Sequence, residues 1–277
     1  MLSSNTLKKE ISAKIALAIF ILFSAFWLGI TLFLQPGSSY HELFAETYWV
    51  MALWGGFWGL SISHKWGGIR SVMGKATLFF SLGLLAQVFG QIAYAYYYYY
   101  LKIEAPFPSI GDIGYFGSIP LYIYAIIQLA LASGVHVNLR SIQGKLKAFF
   151  LPTIGLVASY AIFLRGYEFN WSAPLKIFLD FGYPLGQAIY ISLAVLTYLF
   201  SVKTLGGIMK TKVRLILLAL VIQYIADYTF LYWTSQGTWY ASGVNDYIYL
   251  VSYFVMTLAL IQLKTVYDDL TGKTTKN

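Results

Sequence analysis

Apolar positions along the chain fall into runs of bilayer length, separated by short polar stretches. Eight runs are legible, at 14–34, 47–63, 76–101, 113–134, 148–164, 177–201, 213–234 and 247–263. A helix needs about 20 apolar residues to cross the hydrocarbon core, so the pattern predicts an all-α polytopic membrane protein. The runs at 47–63 and 148–164 are short. The connections hold about a dozen residues each, which makes consecutive helices antiparallel neighbours. Residues 1–265 are therefore expected to form a single transmembrane helical domain, and 266–277 a short tail. The first run follows Lys8, Lys9 and Lys14 but is longer than the roughly 7–15 residues of a secretory h-region, and it is read as a retained helix.

Charge adds an orientation. Only 11% of residues are charged and the net charge is +8. That excess is segregated. Lys8, Lys9 and Lys14, then Lys65, Arg70 and Lys75, then Arg140, Lys145 and Lys147, then Lys203, Lys210, Lys212 and Arg214, and finally Lys264, Lys273 and Lys276 all fall on one side of the predicted threading. The other side holds Lys102, Arg165 and Lys176. By the positive-inside rule the chain is a multi-pass cell-membrane protein with both termini cytoplasmic. The same segregation argues for a lipid bilayer rather than nucleic acid as the basic chain's partner. Tyr96 to Tyr100, Trp171, Trp233, Trp239 and Tyr240 then read as an interfacial aromatic belt; the weaker alternative is a cage for a cationic ligand.

Two of the runs begin alike. Asp112, Tyr115 and Ser118 recur as Asp246, Tyr249 and Ser252 at identical spacing. The runs before them carry Gln87 and Gln91 in one case, Gln223 and Asp227 in the other, each pair one helical turn apart on one face. The run at 177–201 shares Tyr183-Pro-Leu with Ile119-Pro-Leu, with Lys176 where the aspartate would fall. A helical-hairpin repeat of constant orientation is expected, unlike the inverted repeats of many transporters.

Polar side chains within lipid are costly and face protein or a watery cavity. Asp227 is the sharpest case, with Gln223 one turn deeper and Gln87, Gln91 and Gln187 at similar depth. Together they could line a pocket in the outer half; the alternative is interhelical hydrogen bonding that fixes packing. Asp112, Asp180 and Asp246 sit where helices start, where acids also act as caps. Pro120 and Pro184 fall inside runs and predict kinks, with Tyr115 and Tyr183 close by. Gly55, Gly59, Gly114 and Gly117 are expected to let helices approach closely. The candidate ligand-binding set is Gln87, Gln91, Asp112, Tyr115, Tyr183, Gln187, Gln223, Asp227, Asp246 and Tyr249.

Other chemistry has little to stand on. Cysteine is absent, which removes disulfides, thiolate metal sites and cysteine nucleophiles. His41, His64 and His136 are predicted in loops on opposite sides, so no metal or haem site is expected. No predicted span carries a central lysine for a Schiff base. With no nucleophile–base pair or phosphate loop, no enzymatic activity and no cofactor are expected.

The stretch Ala105-Pro-Phe-Pro-Ser-Ile-Gly-Asp112-Ile-Gly-Tyr115, with Ile119-Pro-Leu121, resembles the multi-helix membrane sensor region found ahead of diguanylate cyclase (GGDEF) and EAL domains in bacterial signalling proteins. Phe181-Gly-Tyr183-Pro-Leu-Gly-Gln187 and Ala226-Asp227-Tyr228 extend the resemblance, which covers about Gln87 to Leu263. That family usually has an acid where Gln187 stands. Asp268-Asp-Leu-Thr-Gly272 looks like the opening of a cyclase domain, but no output domain is expected here. The resemblance implies a membrane sensor or receptor-like module binding a small molecule, lipid or ion in its outer half. It would signal through a cytoplasmic or membrane signalling partner. A transporter or channel, and a structural subunit of a membrane complex, are the other readings.

Overall fold

The structure, a computed structural model, describes residues 10–134, 140–204 and 207–272, with backbone alone for 202–204 and 207–209. His136 lies outside the described residues. The helices are α1 (Ile11–Phe33), α2 (Ser39–Ala45), α3 (Val50–Lys65), α4 (Val72–Ala95), α5 (Gly111–Ala132), α6 (Ile142–Ser159), α7 (Pro174–Thr204), α8 (Gly207–Ser235) and α9 (Val244–Leu270). Among the described residues there are no strands. All but α2 and α3 are long and apolar enough to cross a membrane, which makes seven such helices among the described residues. The second predicted run corresponds to α3, whose 16 residues reach about 24 Å, short of the ~30 Å core. It packs between α4 and α9, with Leu53 and Phe57 exposed along its remaining face. The last helix continues to Leu270, past the point where the tail was expected.

Local signals set the helix ends. Ser71 and Ser141 accept from the backbone N–H groups of Gly74 and Gly144 at 2.9 and 3.0 Å, capping α4 and α6. Both α4 and α6 finish in a π-helical turn, Tyr96–Leu101 and Tyr160–Leu164. Pro120 and Pro184 lie inside α5 and α7, as the sequence predicts.

Six helices close a ring in the order α3, α4, α5, α7, α8, α9 and back to α3. Neighbours joined by a short connection run antiparallel: Gly83 faces Tyr122, Gly90 faces Tyr115 and Gly111 faces Tyr94 across α4 and α5. On the rim, α1 antiparallels α9, with Phe20 stacked on Phe254 at 4.1 Å and Trp27 on Tyr247 at 4.3 Å. On the far side α6 packs against α7 and is 6% buried, against 67% for α9. Of the seven long helices α9 is therefore the most buried, and α6 is a peripheral helix. Gly55 opposes Thr257 and Leu84, Gly59 opposes Ser81 and Leu260, and Gly114 opposes the backbone of Ala86 and Gly90. Gly117 differs from expectation: it has open space beside it.

Alternating direction gathers Lys65, Lys75, Lys145, Lys147, Lys212 and Lys264 at one end of the bundle and Asp112, Asp180 and Asp246 at the other. At the acidic end Ser242 stitches three helices. Its N–H donates to Asp246 Oδ2 at 2.7 Å, its hydroxyl donates to the His41 carbonyl, and its own carbonyl accepts from Trp27 Nε1 at 2.9 Å. Its φ of 62° is left-handed, a conformation uncommon outside glycine. His41 is thus part of α2 and His64 part of α3, rather than of loops.

Between α2 and α3, Glu46 has a buried Oε2 with no hydrogen-bond partner. Burial, aided by the nearby Glu42, pushes its pKa up to about 7. A carboxyl raised in the fold binds its proton more tightly than in the unfolded chain, so its contribution to stability falls as pH rises from about 4.5 to about 7 and is flat above. Glu46→Gln should remove that decline. In thermal melts between pH 5 and 8, the variant's advantage over the parent should grow to pH 7 and then level off. A pH-independent difference would contradict it.

Candidate functional site

The ten candidate residues lie in the acidic half of the bundle, and the ring brings most of them inward. On α8, Asp227 is 7% exposed and is held from three helices. Tyr190 on α7 donates to Oδ2 at 2.8 Å, Tyr249 on α9 donates to Oδ1 at 2.9 Å, and Gln223 Nε2 donates to Oδ1 at 3.0 Å. Ser252 donates onward to Gln223 Oε1 at 3.0 Å. The carboxylate is thus met by neutral donors, which stabilise charge in a low-dielectric interior without a counter-ion.

A second knot joins α4, α5 and α9. Gln87 Nε2 donates to Ser118 Oγ at 2.8 Å and Gln87 Oε1 accepts from Tyr253 at 3.3 Å. The predicted hairpin repeat therefore extends to its bonds: a glutamine–serine pair closes α4 against α5, and another closes α8 against α9.

Asp112 and Asp246 play parallel roles. Asp112 Oδ2 accepts from the Ser109 N–H at 2.7 Å, as Asp246 does from Ser242. Each ties the loop to the helix it enters. This is close to the capping expected, but it secures the residue ahead of the helix rather than the first turn. In addition Asp112 Oδ1 accepts from Tyr183 at 2.7 Å, linking α5 to α7. Asp180 is not at a helix start. It lies inside α7, bonded to Tyr167 at 2.6 Å and Lys176 at 2.5 Å.

Two candidates stand apart. Gln91 donates to Tyr48 at 2.8 Å, away from Asp227. Tyr115 packs against Gly90 and Tyr94. Gln187, 5% exposed, leaves its Oε1 buried and unbonded. It lies on one stripe of α7 with Tyr183 and Tyr190.

Sequence reasoning passed over Tyr48, Tyr190 and Tyr253, and singled out Ser118 and Ser252 only as matching positions of the repeat. Tyr48, Tyr249 and Tyr253 stack with centroids 6.0–6.5 Å apart, and Tyr190 meets Tyr122 edge-on at 6.2 Å. The signal was available: Tyr190 lies three residues after Gln187 and Tyr253 four after Tyr249, hence on the same faces. In a chain with 24 tyrosines that spacing is hard to tell from belt residues.

Most of these polar groups bond to one another, the Gln187 Oε1 excepted, and none of the ten candidates lines an apolar groove found elsewhere on the bundle. That groove, about 310 Å³, lies on α7 and is lined by Phe169, Ile177, Phe178, Phe181, Leu185 and the glycines 182 and 186. Phe116 and Ile119 of α5 abut those two glycines. The groove face of α7 is opposite its Tyr183–Gln187–Tyr190 stripe, with Pro184 between.

Fold and interior together define an all-helical chain of membrane-spanning type, with buried carboxylates clamped by tyrosine hydroxyls. No protein-family model, curated protein or solved structure shows significant similarity to it.

Proposed function

We propose that the chain is a multi-pass sensor or receptor-like module of the cell membrane, with the acidic end outside and both termini cytoplasmic. The observation that carries the reading is the two-sidedness of α7. One face lines the apolar groove. The other supplies Tyr183 to Asp112 and Tyr190 to Asp227, so that α7 is bonded to both α5 and α8. A lipid or apolar small molecule in the groove would press on α7 beside Pro184, where the helix ladder already lacks a bond. Movement there exchanges one set of hydroxyl–carboxylate bonds for another. The effector must favour one packing over the other for any signal to result. The lysine-rich end would then present the change to a cytoplasmic or membrane signalling protein.

Because the chain has no cysteine, spin labels can be placed cleanly at Lys147→Cys and Lys264→Cys on the lysine-rich end. In nanodiscs, filling the groove with Leu185→Trp should shift the distance between the labels. Adding Tyr183→Phe and Tyr190→Phe should remove that shift. Unchanged distances throughout would defeat the reading, as would repeated failure to capture a kinase or cyclase partner.

The second reading, cation transport, draws on Asp112, Asp227 and Asp246. The ion pairs among the described residues, Lys176–Asp180 and Lys264 with Glu10 and Asp268, involve none of these three. Cation flux into proteoliposomes that Asp227→Asn abolishes would favour it over sensing.

A further inference from the structure

At the lysine-rich end, away from the groove and the clamped aspartates, the α8–α9 seam buries a charge of its own. Lys212 is 5% exposed, the one lysine or arginine among the described residues to be buried. Its Nζ donates to Gln262 Oε1 at 2.6 Å. That bond fixes the amide's orientation, because the flipped form would set an NH₂ group against an ammonium. The Gln262 Nε2 therefore points the other way. It is buried, Gln262 is 0% exposed, and Nε2 has no acceptor. One turn on, the Thr265 hydroxyl is also buried without a partner. Residues 262 and 265 share a face of α9. The ammonium has three protons, of which the amide takes one.

An interior that leaves several donors unanswered is unusual, since buried polar groups are nearly always bonded. Each donor left unpaired forfeits its hydration with nothing in return. Asp269 is within electrostatic reach of Lys212 but not bonded to it. What the cluster lacks is an acceptor with several oxygens and negative charge. We propose that Lys212, Gln262 and Thr265 form a binding site for a phosphate group, either the headgroup of a phospholipid of the adjoining leaflet or a free phosphate anion. Ammonium, amide and hydroxyl then each donate to a different phosphate oxygen. Bridging α8 and α9, the bound phosphate holds the lysine-rich ends of these two helices together.

The test is thermal stability of the purified full chain in a neutral detergent, titrated with inorganic phosphate, with short-chain phosphatidic acid, or with chloride at matched ionic strength. At least one phosphate probe should raise Tm saturably by roughly 3–8 °C, while chloride gives no saturable rise. Response to the lipid alone identifies a headgroup site; response to both probes, or to inorganic phosphate alone, identifies a free-anion site. Gln262→Glu supplies an internal acceptor for Lys212 and should fold normally yet lose the response. Lys212→Met should lose it too, and its weaker folding is separated from lost binding by the Gln262→Glu result. If neither phosphate probe exceeds chloride, or if Gln262→Glu responds as the parent does, the site does not exist. The groove-dependent distance change at the labelled positions is read without these variants, so the sensor reading stands or falls separately.

Discussion

Asp227→Ala is expected to destabilise the bundle by about 3 kcal/mol, because it strands two tyrosine hydroxyls and a glutamine amide in the interior at once. The three bonds converge from α7, α8 and α9, so their loss unties the seam between those helices. A typical interhelical hydrogen bond in a membrane contributes only about 0.6 kcal/mol; the larger figure reflects the unpaired donors left behind. The companion experiment makes the argument specific. Asp227→Leu combined with Tyr190→Phe and Tyr249→Phe removes the acceptor together with both tyrosine donors, leaving only the Gln223 amide without its partner, and should recover all but about 1 kcal/mol of the parent's stability, since replacing both partners of a buried bond is nearly neutral. Denaturation in a fixed mixed micelle measures both. Equal losses in the single and triple variants would show that shape, not hydrogen bonding, makes Asp227 important.

Gly114→Ala should cost about as much by a different route. A methyl group at that position runs into the Ala86 carbonyl and lies 2.6 Å from the Gly90 backbone nitrogen. Backbone cannot rotate aside as a side chain can, so α4 and α5 must separate, and the Gln87–Ser118 bond between them lengthens. Overpacking of this kind costs typically 1–3 kcal/mol or more. Gly117→Ala, three residues along the same helix, meets open space and should be neutral or stabilise by up to about 1 kcal/mol, because alanine is the better helix former. A melt of the two variants side by side separates packing from propensity. If both behave alike, the close approach of α4 and α5 is not what holds this hairpin.

The type and rough limits of the long helices were legible in the sequence, because a segment in hydrocarbon must satisfy its backbone internally and be apolar along its whole length; their number was not, since eight runs were read and seven helices are long enough to cross. Each of the seven long helices coincides with a run read from hydropathy alone. For α3 length is the poorer guide: its 16 residues fall short of the bilayer core, and Gly55 and Gly59, which let α4 and α9 come close, describe it better. The polar candidates were legible for the same reason, since a carboxylate or amide in an apolar run stands out. The hairpin repeat could be read from Asp112, Tyr115 and Ser118 against Asp246, Tyr249 and Ser252.

Partnership was not legible. Gln87 and Asp227 looked alike as pocket-lining groups, yet one binds a serine across a hairpin and the other two tyrosines from neighbouring helices. Tyrosine is apolar enough to sit in lipid and polar enough to serve a carboxylate, so hydropathy assigns it no side. Glycine is similarly mute: Gly114 and Gly117 differ only in which way each faces. Residue chemistry and helical period told this chain where to bury its backbone and which side chains lipid would reject. The order in which six helices closed into a ring decided what those rejected groups found, because rotation of a helix about its axis is set by its neighbours and not by its own composition.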